Sequence, residues 1–229
     1  MKIYTLTIGG LPVPRIILNQ AQAQEVATIL LDEEAVLIRP DKPFTFVSGV
    51  VSPVYCDLRM LNRSPKGRRR VSELLAEGVQ ALCGADSPDA VAGVATAGIP
   101  WAAWVADVLN KPMAYVRDAP KAHGRGQQVE GGLRLAQSVV VVEDLTSTGA
   151  SAITAVDGLR DLGVRADYVV SICTYGSARA DRNFSAAWVH AASLCTVGTV
   201  LDAALAGERI SHDAHRLVKD WLATGPMSR

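Results

Sequence analysis

Net charge is the first thing this 229-residue chain lacks: 23 Lys and Arg are matched by 23 Asp and Glu, and the isoelectric point is about 6.9. Without a basic field over the whole molecule, nucleic acid or an anionic membrane has nothing general to hold it, and any anion must be bound by local groups. Cysteine is sparse as well. Cys56, Cys83, Cys173 and Cys195 are far apart and form no C-x-x-C pair, which argues against a zinc site and a disulfide framework and fits a reducing cytoplasm. Apolar runs are short. In MKIYTLTIGGLPVPRIIL, Gly9, Gly10, Pro12 and Pro14 interrupt the hydrophobic residues, leaving neither a signal-peptide core nor the ~18 apolar residues of a membrane span. Internal repeats, low-complexity segments and a helix-turn-helix region are also missing, and the expectation is a soluble cytoplasmic protein without nucleic-acid or membrane partners.

What is present is enough apolar residue, 49% of the chain, for one α/β domain with a small appendage. The segment AQAQEVATILLDEEA places Val26, Ile29 and Leu30 on one helical stripe. PFTFVSGVVSPVYCDLR reads as short strands around tight turns, broken at Ser-Gly and Ser-Pro. KGRRRVSELLAEGVQAL repeats Val71, Leu74, Leu75, Val79 and Leu82 at helical spacing, and its basic start reads as a solvated helix end. After Gly84 strands and helices alternate: DAVAGVAT, GIPWAAWVADVLN, PMAYVR, VVVVED, STGASAITAVDGLRDLG and ADYVVSICTY. Near-continuous apolar strands between helices call for a parallel sheet covered on both faces. The stretch DAPKAHGRGQQVEGG breaks this rhythm. It is polar, glycine-rich and too long for an ordinary connection, as functional loops often are.

The chemistry concentrates in VVVVEDLTSTGAS, residues 139–151. Ligands of an open parallel sheet sit beyond the carboxyl ends of its strands, where helices begin. Thr146, Ser147, Thr148, Gly149, Ala150 and Ser151 offer amides and hydroxyls at the positive end of a helix dipole, an arrangement suited to a phosphate. Glu143 and Asp144 would repel a phosphate and need donors or cations instead. A ribose supplies adjacent hydroxyls, and Mg2+ takes oxygen ligands of this kind. The stretch therefore reads as a ribose 5-phosphate cradle. Helix capping alone would explain one carboxylate or one hydroxyl, not the series. GVATAGIP carries two glycines at P-loop spacing but no following Lys-Ser or Lys-Thr, so it is not a nucleotide P-loop.

VVVVEDLTSTGAS resembles the phosphoribosyl-diphosphate signature of the type I phosphoribosyltransferases, and three further blocks narrow the resemblance to the orotate phosphoribosyltransferases. FTFVSGVVSPVYCDLR is similar to that family's F-T-x-x-S-G-x-x-S-P-x-Y-x-D-x-R segment, GVATAGIPWAAWVA to its G-I-P helix start, and YVRDAPKAHGRGQQVEG to its catalytic loop. The resemblance implies a type I fold over residues 1–229: a mainly parallel sheet flanked by helices from about residue 66, with a small N-terminal hood over about 1–65. It also implies transfer of the 5-phosphoribosyl group from phosphoribosyl diphosphate to orotate with Mg2+, giving orotidine 5′-phosphate for pyrimidine (UMP) biosynthesis, in a homodimer with shared active sites. Lys121, His123 and Asp144 are implied as catalytic residues. Substrate would be bound by Arg117, Glu143, the turn from Thr146 to Ser151, Tyr55 and Cys56 flanking the base, and Thr96 and Ala97 before Gly-Ile-Pro. Mg2+ would be carried mainly by substrate, near Glu143 and Asp144.

Five positions depart from the family pattern. Val47, Ala97 and Asp118 stand where lysines are common, and Tyr175-Gly176 replaces an Asp-Arg pair that contacts the base carboxylate, with Arg179 close by. Each missing cation weakens the hold on a polyanion. A paralogue acting on another base, or a non-catalytic sensor of phosphoribosyl diphosphate, is the alternative; the retained Arg117, Lys121, His123, Glu143 and Asp144 favour the enzyme.

Overall fold

The computed structural model describes residues 5–8, 11–14, 18–46, 49–84, 87–118 and 128–224. Two short strands, β1 (Thr5–Ile8) and β2 (Leu11–Pro14), pair antiparallel ahead of helix α1 (Gln20–Asp32). Helix α1 starts where Asn19 accepts a hydrogen bond from the Gln22 amide at 3.0 Å, and it buries Ala23, Val26, Ala27 and Leu30. Strands β3 (Val36–Ile38), β4 (Phe44–Thr45), β5 (Val51–Ser52) and β6 (Val54–Cys56) make two antiparallel pairs, β3 with β6 and β4 with β5. They are as short as the Ser-Gly and Ser-Pro breaks require. A 3-10 turn, Leu58–Arg63, leads into α2 (Pro65–Cys83), which has Ser64 as its cap and Pro65 in the first turn, where a missing amide hydrogen does no harm.

The second part alternates strand and helix: β7 (Ala90–Val94), α3 (Gly98–Leu109), β8 (Met113–Val116), β9 (Val129–Glu130), β10 (Ser138–Thr146), α4 (Ala150–Arg160), β11 (Arg165–Thr174), α5 (Ala178–Ala186), β12 (His190–Thr196), α6 (Val197–Ala206) and α7 (His212–Thr224). One six-stranded sheet has the order β12-β11-β10-β7-β8-β9, parallel throughout except for β9 on the edge. The α/β class and the parallel sheet expected from the sequence are both found. The helix expected from Ser147 onward begins instead at Ala150, because Gly149 takes a left-handed conformation that ends the preceding turn.

Four consecutive valines sort themselves by the pleat. Val140 and Val142 enter the core beneath α1, α2, α3 and α6, whereas Val139 and Val141 enter the core beneath α4 and α5. A strand buried on both faces has no reason to alternate polarity, which is why VVVV reads as one apolar run. The basic start of α2 is not simply solvated. Arg70 forms a forked pair with Glu25 of α1, at 2.7 and 3.0 Å, and the Arg68 guanidinium lies 5.3 Å from the Trp104 ring centre on α3.

Strand order reverses between β7 and β10: the chain passes from β7 outward to β8 and β9, then returns to β7's other side. The crevice beyond the carboxyl ends of β7 and β10 is the topological switch point, where ligands of such sheets bind. The helices reach this point because small residues permit it. A Cβ on Gly98 would lie 2.6 Å from the Val142 carbonyl oxygen, so only glycine lets the start of α3 rest on β10. Gly98→Ala is expected to destabilise the fold by about 1–3 kcal/mol despite alanine's better helix propensity. Urea titration would read this as a lower midpoint with an unchanged slope, and a raised midpoint would show that the close approach is not required.

Candidate active site

At the switch point β10 carries its apolar run into Glu143 and Asp144. By the strand's alternation, Glu143 shares the face of Val139 and Val141, and Asp144 that of Val140 and Val142. Their neighbours agree. Glu143 is 5% exposed and accepts a short hydrogen bond from the Ser151 hydroxyl in the first turn of α4. Asp144 is half-buried on the other side, where Arg59, Asp57 and Cys56 are its electrostatic neighbours. The two adjacent carboxylates thus do not form one cluster; they flank the strand end from opposite faces.

Burial sets the protonation of both. It pushes the Glu143 carboxyl up to about 7, against the pull of the Ser151 hydrogen bond and with a smaller push from Asp144. Its Oε2 is buried and meets no hydrogen-bond donor among the described residues. Asp144 is also raised by burial, but backbone amides and the Arg59 guanidinium pull it back. Arg59 is itself held by a fork to Asp57, 2.6 and 2.8 Å long, which caps the 3-10 turn against β10. Arg59 and Asp57 were not singled out from the sequence; the D-x-R at the end of FTFVSGVVSPVYCDLR is the signal that could have found them.

The turn from Thr146 to Ser151 is more selective than its composition suggests. Gly149 (φ +76°) packs on the Phe184 ring so closely that a Cβ would stand 2.6 Å from it. Thr146 turns its hydroxyl into the sheet, donating to Ser171 at 3.0 Å, and Ser171 in turn shares a 2.6 Å hydrogen bond with Ser193. The Ser151 hydroxyl is taken by Glu143. Of the hydroxyls expected to face a phosphate, only those of Ser147 and Thr148 are uncommitted among the described residues.

Other expected residues fall around this point. Thr96 is exposed and Ala97 half-buried in the loop between β7 and α3. Arg117 follows β8 and is half-buried, with its backbone fixed by Gln128 at 3.0 and 2.8 Å. Tyr55 lies 5.3 Å from Phe44 and 6.1 Å from Phe46, ring centre to ring centre, and Arg39 covers Phe44 at 5.3 Å. Cys56 is half-buried; burial and the nearby Cys173 thiol keep its own thiol protonated, and Tyr175 is among its electrostatic neighbours. Asp118 and Arg179 are exposed. Lys121, His123 and Val47 lie outside the described residues. No cluster of three or more His, Cys, Asp or Glu able to hold a metal ion occurs among the described residues. Single carboxylates at the strand end, one with an unpartnered oxygen, fit a Mg2+ that keeps water and substrate oxygens as its main ligands.

A carboxyl with a folded value near 7 and an ordinary value of 4.5 binds its proton more tightly when folded. Its contribution to stability is complete below about 4.5 and is lost as pH rises through about 7. Relative to Glu143→Gln, the ligand-free protein without Mg2+ should therefore lose stability between these limits, in total on the order of 2–3 kcal/mol. Parallel pH profiles for the two proteins would show that Glu143 is not desolvated.

Residues 57–200 match the phosphoribosyl transferase domain family. The chain is similar to the orotate phosphoribosyltransferase of Bacillus subtilis (strain 168), with 43% identity over 205 residues, covering 89% of this chain and 93% of that protein. It is similar also to the crystal structure of orotate phosphoribosyltransferase from Aeropyrum pernix, at 35% identity and a TM-score of 0.68, over 77% of this chain and 96% of that one. In fold it resembles a Mycobacterium tuberculosis orotate phosphoribosyltransferase solved in complex with 5-phospho-alpha-D-ribosyl 1-diphosphate, at 22% identity and a TM-score of 0.59, over 78% and 98% of the two chains. The parallel sheet, the carboxylate pair at its switch point and these likenesses together establish that the chain belongs to the orotate phosphoribosyltransferases of the phosphoribosyl transferase domain family.

Proposed function

We propose that the chain transfers the 5-phosphoribosyl group of phosphoribosyl diphosphate to N1 of orotate, releasing diphosphate and forming orotidine 5′-phosphate in pyrimidine biosynthesis. The observation that carries this reading is the strand-to-turn junction at residues 143–149, where a buried carboxylate (Glu143) and a half-buried one (Asp144) on opposite faces of β10 adjoin a glycine turn at a helix N-terminus. The buried, unpartnered Oε2 of Glu143 suits a ribose hydroxyl as donor. Asp144, with Arg59 favouring its charged form, is suited to stabilise the positive charge that develops at C1′ as its bond to diphosphate breaks. The amides of Ser147, Thr148 and Gly149 suit the 5′-phosphate.

The remaining roles rest on the sequence. Arg117 holds diphosphate oxygens in a fork, and Lys121 and His123 supply charge and a proton to the leaving group. A Mg2+ carried in with the substrate would offset the charge of the diphosphate, and Glu143 and Asp144 are the carboxylates that would hold it on the protein side. Tyr55, backed by Phe44 and Phe46, offers the orotate ring an aromatic wall on the N-terminal hood. The working unit is a homodimer with shared sites, and the four free cysteines suit a reducing cytoplasm.

The replacement of an acid-base pair by Tyr175-Gly176 favours one second reading, in which another base takes the place of orotate. Both are separated by one panel. Orotate absorbance should fall only when phosphoribosyl diphosphate and Mg2+ are both supplied; turnover of a different base with none of orotate would replace this reading by the second. Lys121→Ala should lower kcat by about 10²-fold or more with the melting temperature unchanged, and a near-normal rate would remove Lys121 from the mechanism.

A further inference from the structure

Three consecutive carbonyl groups of the turn after β10 are held from behind. Thr146 O accepts from the Tyr175 amide at 3.0 Å, Ser147 O from the Ser177 hydroxyl at 2.8 Å, and Thr148 O from the Asn183 side-chain amide at 2.9 Å. The donors belong to α5 and the residues just before it, an element with no part in the sequence signature. In a planar trans peptide the carbonyl of one residue and the N–H of the next point in opposite directions. Drawing these three carbonyls toward α5 therefore turns the N–H groups of Ser147, Thr148 and Gly149 away from it, into the mouth of the switch-point crevice. None of these three amides meets an acceptor among the described residues. Successive amides aimed into one concavity form an anion-binding nest.

We propose that Ser177 and Asn183 are positioning residues for the sugar-phosphate subsite: they fix the peptide planes of the 146–149 turn so that its amides converge on the 5′-phosphate. The assignment rests on the reading of that turn as the phosphate cradle. The brace is rigid for two reasons on its own side. Ser177 also caps α5 by accepting from the Ala180 amide at 3.1 Å, and Phe184, one residue after Asn183, is buried against Gly149. A free peptide plane in a glycine-containing turn would rotate, and each rotation would replace a donor by a carbonyl facing the phosphate. The carboxylates Glu143 and Asp144, a few residues away, leave such a site little tolerance for further negative potential.

The test is calorimetric binding of ribose 5-phosphate, together with the KM for orotate and the melting temperature. Asn183→Leu should keep the melting temperature and the orotate KM near wild type but weaken ribose 5-phosphate by about tenfold, the effect of one mispositioned hydrogen-bond donor. Ser177→Ala should weaken ribose 5-phosphate to a similar extent and also lower the melting temperature, since it removes the α5 cap, and Ser177→Thr, which keeps the hydroxyl, should restore both. This pair carries the test should Asn183→Leu fail to fold. Folded variants that bind ribose 5-phosphate like wild type, or that lose orotate to the same extent, would overturn the positioning role while leaving the phosphate cradle in place. A wild-type protein that does not bind ribose 5-phosphate at all would overturn the cradle itself, and the brace with it.

Discussion

A carboxylate buried where a sheet ends must find donors or give up its charge, and the rest of this site is arranged around that constraint. Glu143 and Asp144 meet it differently. Glu143 takes one hydrogen bond from Ser151 and is otherwise enclosed, so its proton is held to near neutrality. Asp144 faces the N-terminal strands and lies within the field of Arg59, which tempers the effect of burial. Two identical functional groups on adjacent residues acquire different acidities because a strand sends successive side chains to opposite faces. Ribose offers two neighbouring hydroxyl donors, and a strand end with one carboxylate on each side can approach that sugar from two directions without stacking two charges on one another.

Much of this was legible in the sequence because it is local. The alternation of apolar strands and helices, the glycine after the hydroxyl run and the Glu-Asp pair all lie in short windows, and their physical meaning depends on nearest neighbours. What escaped depends on distance along the chain. Thr146 looks like a phosphate ligand until Ser171, 25 residues later, takes its hydroxyl into a buried chain that ends at Ser193. Ser177 and Asn183 lie 30 and 35 residues beyond the carbonyls that they hold. No periodicity marks them, since a capping serine and a half-buried helical asparagine are ordinary features of any α5. Arg59 was within reach, in a D-x-R sequence already quoted, but its side chain gains significance only when the 3-10 turn is docked on β10.

Small residues at the switch point explain how so much can converge there. Gly93 and Gly98 bring β7, α3 and β10 to distances at which a single added carbon would lie under 3 Å from backbone or side-chain atoms, and Gly149 lies flat on the Phe184 ring. These contacts are between rigid parts: strand backbone, helix start and an aromatic side chain. An interior packed this tightly passes displacement on rather than absorbing it. The end of β10 is thus held by α3 at Val142 and Glu143, and the turn that follows it by α5 and the residues just before that helix.

The same geometry bears on the missing cations. A site that bound its polyanion mainly through lysines would suffer from Val47, Ala97 and Asp118, and a chain with no net charge has no surplus elsewhere to compensate. Asp118 points to solvent at an exposed position, where its field is screened over roughly 10 Å at moderate ionic strength. The donors proposed for the sugar-phosphate end are of another kind: backbone amides at the head of α4, whose peptide planes are fixed by hydrogen bonds to their carbonyls. Fixed dipoles in a poorly solvated crevice need no reorganisation on binding and are little screened by salt, so they can carry specificity for the phosphate that flexible surface lysines do not. On the proposed reading, loss of family lysines falls on the diphosphate end of the substrate, where Arg117 is the expected cation, and leaves the ribose 5-phosphate end intact.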